Sequence, residues 1–420
     1  MNSFQTVVLG IFGFFIIAGL IVIATVKTTG GTPAVQISMW GSAPSTDIQP
    51  LLEQYFDSET LKVSYTEFAP ESLDNSLVEA LASGTGPDMV ILPAELLVRY
   101  RDKIVFVPYT NYSDAQFRES FTQGAELFLE ANGISALPFS VDPLLMYYNR
   151  DMLEGAGIVS APKYWDEFLS IGNKLTKRDG IGNISRSAVA LGEYRNIDNA
   201  KEILTGMFQQ SGNAVVAHEA TGRSYSVLEQ TGAVSVLDFY TEFANPLKPS
   251  YSWNRAQVGS RSAFLSSRLA VYFGFGSEYN DLRKSNPNLN FTVAHFPNPR
   301  TASVSLTYGK FSGLAVLKSS RQQSAGLAVA LTLSSASAQA TFGRLSGLPP
   351  VRRDLLASRP TDTFGGILYD ASIRARGFFD PNPTESVQVF QDMVESITSG
   401  KSGTGNAISQ ASSGFQRLIR

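Results

Sequence analysis

Carboxylate and aromatic side chains recur in this 420-residue sequence close to short apolar segments that are typical of buried strands. The candidates are Trp40, Glu67, Asp88, Asp142, Glu193, Tyr194, Phe275, Tyr279, Phe378 and Phe379. Carboxylates accept hydrogen bonds from hydroxyl groups, and aromatic rings cover flat apolar faces. If these side chains converge on one cleft, they have the chemistry to bind a sugar.

Asp142 is the leading polar candidate. It lies between two apolar segments, Leu137–Val141 and Leu144–Tyr148, and directly precedes Pro143, which stiffens the backbone. A carboxylate in such surroundings is costly without a partner, so we expect it to face a cleft. Tyr194, which follows the strand-like segment 188–192, is the second candidate.

The remaining candidates have ordinary structural explanations as well. Trp40 ends a predicted buried strand and is compatible with core packing. Asp88 follows Gly-Pro, where an aspartate often caps a turn. Glu193 fits a solvated position, and the pair Phe378 and Phe379 fits packing between helices. The sequence leaves both explanations open for each of them.

The first hundred residues alternate between strand and helix patterns. Strands are predicted at Val35–Trp40, Leu61–Tyr65 and Asp88–Leu92, and each is followed by a helix pattern. This order predicts a parallel α/β sheet covered on both faces. Ligands in such sheets meet the loops at the carboxyl ends of the strands, so we expect Trp40, Glu67 and the residues after Leu92 on one rim.

Composition excludes several classes of function. The net charge of −3 gives no basic face for nucleic acid, and the absence of cysteine excludes disulfides, thiolate metal sites and a cysteine nucleophile. The two histidines, His218 and His295, are far apart, so we expect no metal centre. No phosphate-binding lysine loop is found, and we expect neither ATP hydrolysis nor a cofactor in this chain.

The amino terminus carries eighteen uncharged residues at 7–24. As a helix they would span about 27 Å, enough with their flanks to cross a bilayer core of about 30 Å. No basic residue precedes them and Ala24 to Lys27 make a poor cleavage site, which favours an uncleaved anchor over a signal peptide. We therefore expect residues 1–34 to form a membrane anchor and linker, with cleavage as the alternative.

Several motifs together resemble a known family. They are VQISMWG, EALASGTGPDMVIL, LPFSVDPLLMYYNRDMLEGAGI with YWDEFLSIGNKLT, AFLSSRLAVYFGFGS, and FSGLAVLKSSRQQSAGLAVALTL with GLPPVRRDL. In this order they resemble the family 1 extracellular solute-binding proteins of ATP-binding-cassette importers, the group that includes maltodextrin-binding protein.

The resemblance implies a two-lobed α/β fold of the periplasmic-binding-protein type II, following the predicted transmembrane helix. On the family pattern the first lobe takes residues 35–141 plus 297–346, and the second takes 142–296 plus 347–420. It further implies hinge closure on a solute outside the cytoplasm, no catalytic activity, and permease subunits with a separate ATPase as partners.

Departures from the family pattern leave the solute open. No lipidated cysteine is present, and Phe275 and Tyr279 stand near the place where relatives often have tryptophan. Arg195, Arg255 and Arg261 lie near the predicted rims, so an anionic solute is an alternative. A tethered glycan hydrolase using Asp88 and Asp142, and a binding domain of a sensor complex, are further alternatives.

Overall fold

Two α/β lobes joined by shared strands make up the part of the chain that a computed structural model describes, residues 34–56, 58–219, 222–230 and 232–419. The predicted membrane helix at 7–24 lies outside these residues. Within the described ranges, no helix is both long enough and apolar enough to cross a membrane.

The strands of both lobes form one continuous sheet. Its order is β2-β1-β3-β14-β7-β12-β9-β8, with β13 beside β7 and with β4 and β15 beside β14, while β5–β6 and β10–β11 are separate hairpins. The strands are β1 Val35–Gly41, β2 Leu61–Glu67, β3 Met89–Pro93, β4 Ile104–Val105, β5 Leu129–Glu130, β6 Gly133–Ile134, β7 Leu137–Asn149, β8 Lys177–Arg178, β9 Ile184–Val189, β10 Val216–His218, β11 Ser224–Ser226, β12 Leu269–Phe275, β13 Phe291–His295, β14 Thr307–Leu317 and β15 Ala375–Arg376.

Helices cover the faces of this sheet. They are α1 Ser45–Phe56, α2 Pro70–Ser83, α3 Leu97–Tyr100, α4 Asp114–Ser120, α5 Arg150–Gly155, α6 Glu167–Leu175, α7 Ala200–Gln210, α8 Ala233–Glu242, α9 Ser260–Leu265, α10 Glu278–Ser285, α11 Gln323–Leu333, α12 Ala336–Ser346, α13 Arg353–Leu356, α14 Thr363–Arg374, α15 Pro383–Thr398 and α16 Thr404–Leu418. Short 3₁₀ turns lie at Ala94–Leu96, Arg101–Lys103 and Gln123–Phe128.

The first lobe contains the predicted parallel strands. β1 pairs in parallel with both β2 and β3, so the carboxyl ends of all three meet at one edge. β3 is apolar on both faces because helices cover it on both sides, and α1 buries the stripe Ile48, Leu51 and Leu52 against the sheet.

The second lobe repeats this plan around β12, which is buried along its whole length and pairs in parallel with β9. Trp165 and Trp253 both lie in its core. The Trp165 ring packs edge-to-face on Phe296 at 5.0 Å between ring centroids. The carboxyl ends of β9 and β12 face the first lobe across the shared strands.

Two long strands join the lobes. Val141 of β7 belongs to the first core and Leu144 to the second, so this strand changes lobes at Asp142 and Pro143. On β14 the change falls between Tyr308, in the second core, and Phe311, in the first. Asp142 pairs with Lys310 at this crossing.

At the other two predicted lobe boundaries, 297 and 346, the contacts favour a change of lobe further along the chain. The Trp165 N–H donates to the Asn298 carbonyl oxygen at 3.2 Å, and the Gln210 side-chain amide donates to the carbonyl oxygens of Pro297 and Leu306 at 2.8 Å each. These bonds hold residues 297–306 to the second lobe, whereas Val351 lies in the first core. The division at 297 and 346 remains a proposal about which segments move together.

Candidate functional site

The candidate site lies in the cleft where the two lobes face each other. The carboxyl ends of β1, β2 and β3 form one side, and those of β9 and β12 form the other. Tyr308 of β14, 1% exposed, lies at the crossing between them. This placement follows the rule that ligands bind outside the carboxyl ends of the strands of an open α/β sheet.

A buried ion pair occupies the second-lobe side of this cleft. Lys201, in the first turn of α7, donates through Nζ to Asp380 Oδ2 at 3.0 Å, and the two side chains are 7% and 0% exposed. Asp380 also accepts hydrogen bonds from Ser386 and from the Asn382 backbone. Both charges are therefore compensated, as burial requires.

Glu95 brings a carboxylate from the first lobe to the same place. It lies in the turn after β3, and its Oε1 accepts a hydrogen bond from the Tyr308 hydroxyl at 3.2 Å. Burial alone would lower the pKa of the Lys201 ammonium, but the carboxylates of Glu95, Asp380 and Glu202 outweigh it and raise that pKa. The electrostatic cluster therefore includes groups from both lobes.

Tyr194 borders this cluster, as the sequence placed it on the second-lobe rim. It is 7% exposed, and its hydroxyl, which makes no hydrogen bond to the described residues, is open to solvent. Burial, followed by the charge of Glu202, raises the pKa of its phenol. Tyr194, Lys201 and Glu202 line a groove of about 370 Å³.

Glu193 serves the second lobe itself. Its carboxylate pairs with Arg255 at 3.4 Å, and its carbonyl oxygen accepts the Tyr240 hydroxyl at 2.7 Å. Burial raises the pKa of the Glu193 carboxyl despite the attraction of Arg255. The neighbouring candidates Glu193 and Tyr194 thus have different surroundings.

Asp142 holds the loop after β12 to the hinge strand. The Ser277 backbone N–H donates to Asp142 Oδ1 at 3.1 Å. The residue keeps some exposed surface, but protein packed around its carboxyl group raises the pKa to about 6, against the opposing effects of Ser277 and Lys310. The charges that act on the Asp142 carboxyl are those of Lys310 and Glu278.

On the first lobe, Trp40 and Glu67 are engaged by their neighbours. The Trp40 ring packs against Phe68 with 4.6 Å between ring centroids. Glu67 accepts a hydrogen bond from the Ser45 backbone N–H at 2.7 Å, at the start of α1, and this bond lowers the pKa of its carboxyl. Both residues lie on the predicted rim, Trp40 against the residue after β2 and Glu67 at the start of α1.

Asp88 lies at the opposite edge of the sheet, because it precedes β3 instead of following it. Its carboxylate accepts from the Ser38 backbone N–H at 2.9 Å and from the Ser320 hydroxyl at 2.6 Å. Burial alone would raise the pKa of the Asp88 carboxyl, but these hydrogen bonds outweigh it and lower that pKa. Asp88 therefore ties strands together far from the cleft.

The separation of Asp88 and Asp142 bears on the hydrolase alternative. The Asp88 carbonyl oxygen accepts from the Leu317 N–H, whereas Asp142 pairs with Lys310. The seven residue steps of β14 between Lys310 and Leu317 correspond to about 23 Å at about 3.3 Å each. Paired carboxylates of glycoside hydrolases lie about 5–10 Å apart, so these two do not form such a pair.

The aromatic candidates divide between core and cleft. Phe378 packs on Phe390 and Phe415 in the second core, and Phe275 is 3% exposed with the Lys310 ammonium 3.9 Å from its ring centroid. Tyr279 stacks on Phe364 with 3.9 Å between centroids. Phe378 is thus a structural residue, and the other two lie near the Asp142 end of the cleft.

Phe379 belongs to a second region where the lobes touch. Its ring stacks on His218 with 4.0 Å between centroids and packs against both cores. His218 Nε2 lies 3.4 Å from Glu130 Oε2 of the first lobe, and Arg101 donates to the same oxygen at 2.5 Å. Phe379, His218 and Glu130 line, with Gln209, a cavity of about 470 Å³ at the end of α7 remote from Lys201.

The three arginines considered for an anionic solute each pair with a carboxylate. Arg195 binds Glu395 at 2.7 Å, Arg255 binds Glu193, and Arg261 binds Asp281. Their charges are compensated by the protein. In the described residues there is also no group of three or more metal-ligating side chains.

Sequence reasoning missed Glu95, Lys201 and Asp380. Glu95 follows the rim residues Leu92–Ala94 directly, and Asp380 follows Phe379, so both lie next to segments that were considered. Lys201 gave no signal, because a lysine is almost never buried unless it is paired, and its partner is 179 residues away in the chain.

The chain is similar to known proteins in sequence and in structure. The family model described as bacterial extracellular solute-binding protein matches residues 48–363. Proteins described as binding proteins in Brucella abortus and Brucella suis are 22% identical over 358 residues, which cover 81% of this chain and 81% of theirs.

Solved structures with the same fold include sugar-binding proteins. A cyclo/maltodextrin-binding protein complexed with maltotetraose has a TM-score of 0.74 at 15% identity, covering 94% of this chain and 99% of its own. The sugar-binding protein MalE from Xanthomonas citri has a TM-score of 0.74 at 19% identity, covering 92% and 97%. At these identities the likeness concerns the two-lobed fold.

Proposed function

The chain belongs to the family of bacterial extracellular solute-binding proteins, as its motifs predicted, and we propose that it captures a mono- or oligosaccharide between its lobes. The loaded protein delivers the solute to the permease subunits of an ATP-binding-cassette importer, whose separate ATPase supplies the energy. We further propose that the uncharged segment 7–24 tethers it outside the cytoplasm.

The observation that carries this proposal is the meeting of polar groups from both lobes at the hinge strands. Glu95 comes from the first lobe, Lys201 and Tyr194 come from the second, and Tyr308 lies between them. A ligand shifts an open–closed equilibrium only by its preference for one state. Contacts from both lobes supply such a preference for the closed state.

A carbohydrate solute is supported by the chemistry of the cleft and by the relatives. Tyr194 offers an aromatic ring and a hydroxyl without a partner among the described residues, and Glu95 and Glu202 offer carboxylate acceptors. Two of the similar structures hold maltotetraose and α-D-tagatose. The compensated arginines argue against an anionic solute.

Isothermal titration calorimetry of the purified full chain against mono- and oligosaccharides tests this function. We expect a one-site isotherm for at least one sugar, and weaker binding by Tyr194→Ala and Asp142→Ala. Unchanged affinity in both variants would refute the proposed site. Absence of binding to every sugar would refute the carbohydrate proposal.

Import and tethering need a separate experiment. Cells in which residues 1–34 are deleted should release the protein from the membrane fraction and lose uptake of the sugar that calorimetry identifies. Uptake that does not depend on the protein, with binding intact, would favour the alternative of a sensor complex.

A further inference from the structure

The cavity at the end of α7 remote from Lys201 is built by both lobes and shares no lining residue with the groove at Tyr194. The first lobe contributes Glu130 to its wall, and the second contributes Gln209. Its volume of about 470 Å³ lies within the range of small-molecule sites. The protein therefore has a second place between its lobes that is large enough for a ligand.

Two buried oxygens in the wall of this cavity, Glu130 Oε1 and Gln209 Oε1, have no hydrogen-bond partner among the described residues. The Glu130 side chain is 1% exposed, and its other carboxylate oxygen accepts from Arg101 at 2.5 Å. The Gln209 side-chain nitrogen donates to the Gly377 carbonyl oxygen at 2.8 Å, which leaves the amide oxygen unused. Buried polar atoms normally have a partner. Each lobe thus brings one unmet hydrogen-bonding atom to the same cavity.

Both unmet atoms are acceptors, so the group that binds them must be a donor. The last torsion of a glutamate or glutamine side chain is soft, and a small rotation turns either oxygen towards the cavity that its side chain lines. A ligand with several N–H groups can therefore satisfy both.

The charges around the cavity favour a cation. Glu130 is paired with Arg101, while Asp114 and Glu126, at the wall of the cavity, share the single guanidinium of Arg118. Three carboxylates therefore face two cations, and one negative charge remains in excess while the lining histidine is neutral. A positively charged donor compensates it and forms stronger hydrogen bonds than a neutral one.

The rest of the wall suits the body of a small organic molecule. Leu127, Leu129 and Val216 are apolar, and the rings of Tyr109 and Phe379 line the same space. Aromatic rings attract cations that lie over their faces. Short apolar chains that end in a charged group match this combination.

We propose that this cavity binds a small organic monocation, a guanidinium or ammonium group on a short apolar chain, which donates hydrogen bonds to Glu130 and Gln209. The inference goes beyond the proposed function, because the cavity is lined by other residues than the groove at Tyr194. It does not depend on which solute that groove binds.

Ligand-observed NMR titrations of the full chain with four probes test the charge and the donor. The probes are n-butylguanidine and n-butylamine, which are cations at neutral pH, n-butylurea, which has nearly the shape of the first but no charge, and pentanoate, an anion. We expect at least one cation to bind about tenfold more tightly than n-butylurea, by a margin that shrinks as salt is added, and we expect pentanoate not to bind.

Substitutions on either lobe locate the site. Glu130→Gln should bring the affinity of the cation close to that of n-butylurea, and Gln209→Leu, which keeps all charges, should weaken the cation about threefold or more. Glu79→Gln, on the exposed face of α2, removes one carboxylate elsewhere and should leave the affinity within about twofold. Thermal unfolding verifies that each variant is folded, and Gln209→Leu tests the site if Glu130→Gln is not.

Three results would overturn the inference. Equal binding of n-butylurea and both cations would show that charge is not recognised. Absence of binding by both cations would mean that the cavity holds water only. Unchanged cation affinity in folded Glu130→Gln and Gln209→Leu would place the bound cation elsewhere on the protein.

Discussion

The two lobes differ in whether their polar side chains already have hydrogen-bond partners within the protein. On the first lobe, Glu67 and Asp88 accept hydrogen bonds from backbone and serine donors of their own lobe. On the second, the Tyr194 hydroxyl and the Glu202 carboxylate have no partner among the described residues. Glu67 and Asp88 therefore support the architecture of the first lobe, whereas Tyr194 and Glu202 on the second lobe remain available for a ligand, as does Glu95 on the first.

This difference shows that a polar residue beside a strand is weak evidence for a binding site. Glu67 ends β2 and Glu95 follows β3 at the same edge of the first lobe, but Glu67 accepts a hydrogen bond from the start of α1. Glu95 reaches the hinge strand and the second lobe instead. The hydrogen bonds already made by a side chain decide whether it remains free to bind a solute.

Breaking the buried pair on the second lobe should have the largest effect. Lys201→Met leaves Asp380 buried without a cation, which costs about 3–5 kcal/mol in the free energy of unfolding. Urea denaturation measures this loss, and the double variant with Asp380→Asn should recover part of it. A loss below about 1 kcal/mol would show that the pair is not required.

Asp142 gives a pH-dependent effect on stability. Because its pKa is raised to about 6 in the folded protein, ionisation opposes folding as the pH rises from about 4 to 6. Asp142→Asn should therefore stabilise the protein near pH 7.5 by up to about 3 kcal/mol and have little effect below about pH 4. Thermal unfolding of both proteins at the two pH values measures this, and a variant that is less stable near pH 7.5 would contradict it.

Asp88 should affect the fold and leave binding unchanged. Asp88→Asn weakens the charge-assisted hydrogen bonds from Ser38 and Ser320, which should cost about 2 kcal/mol. The native carboxyl has a lowered pKa, so its stabilisation is present above the ordinary aspartate pKa and is lost as the pH falls below it. A change in solute affinity would contradict the contrast between the two sides of the cleft.

The pair of Arg195 and Glu395 should contribute least. Arg195 is 72% exposed, and exposed ion pairs contribute less than about 1 kcal/mol. Arg195→Ala should therefore unfold within a few degrees of the unsubstituted protein in a thermal scan. A larger loss would mean that Arg195 has a structural role that its contacts do not reveal.

The sequence predicts the order and direction of the strands better than it predicts the residues of the candidate binding site. Alternating strand and helix patterns place the parallel β1, β2 and β3 correctly, because burial on both faces leaves continuous apolar strands. The error at Asp88 arose because a residue that precedes a strand lies at the opposite edge from one that follows it. Tyr194 follows the carboxyl end of β9, as the strand pattern predicted, and its part in binding stays a prediction.

Pairings across the chain could not be predicted. Lys201 meets Asp380 and Glu95 meets Tyr308 only after both lobes have folded and the hinge strands have brought them together. Lys201 and Asp380 are 179 positions apart in the chain, and Glu95 and Tyr308 are 213 positions apart. Local periodicity and turn chemistry contain no information on contacts over such separations. The arrangement of charged groups around Lys201 depends on those contacts.

Calorimetry that compares Tyr194→Phe with Asp88→Asn tests the central claim most directly. The titrant is the mono- or oligosaccharide that binds the unsubstituted chain most tightly. We predict that Tyr194→Phe weakens binding about tenfold, since it removes one hydrogen bond to the solute, and that Asp88→Asn binds as tightly as the unsubstituted chain. Equal affinities for the two variants, or a greater loss in Asp88→Asn, would contradict the placement of the site on the second-lobe side of the cleft.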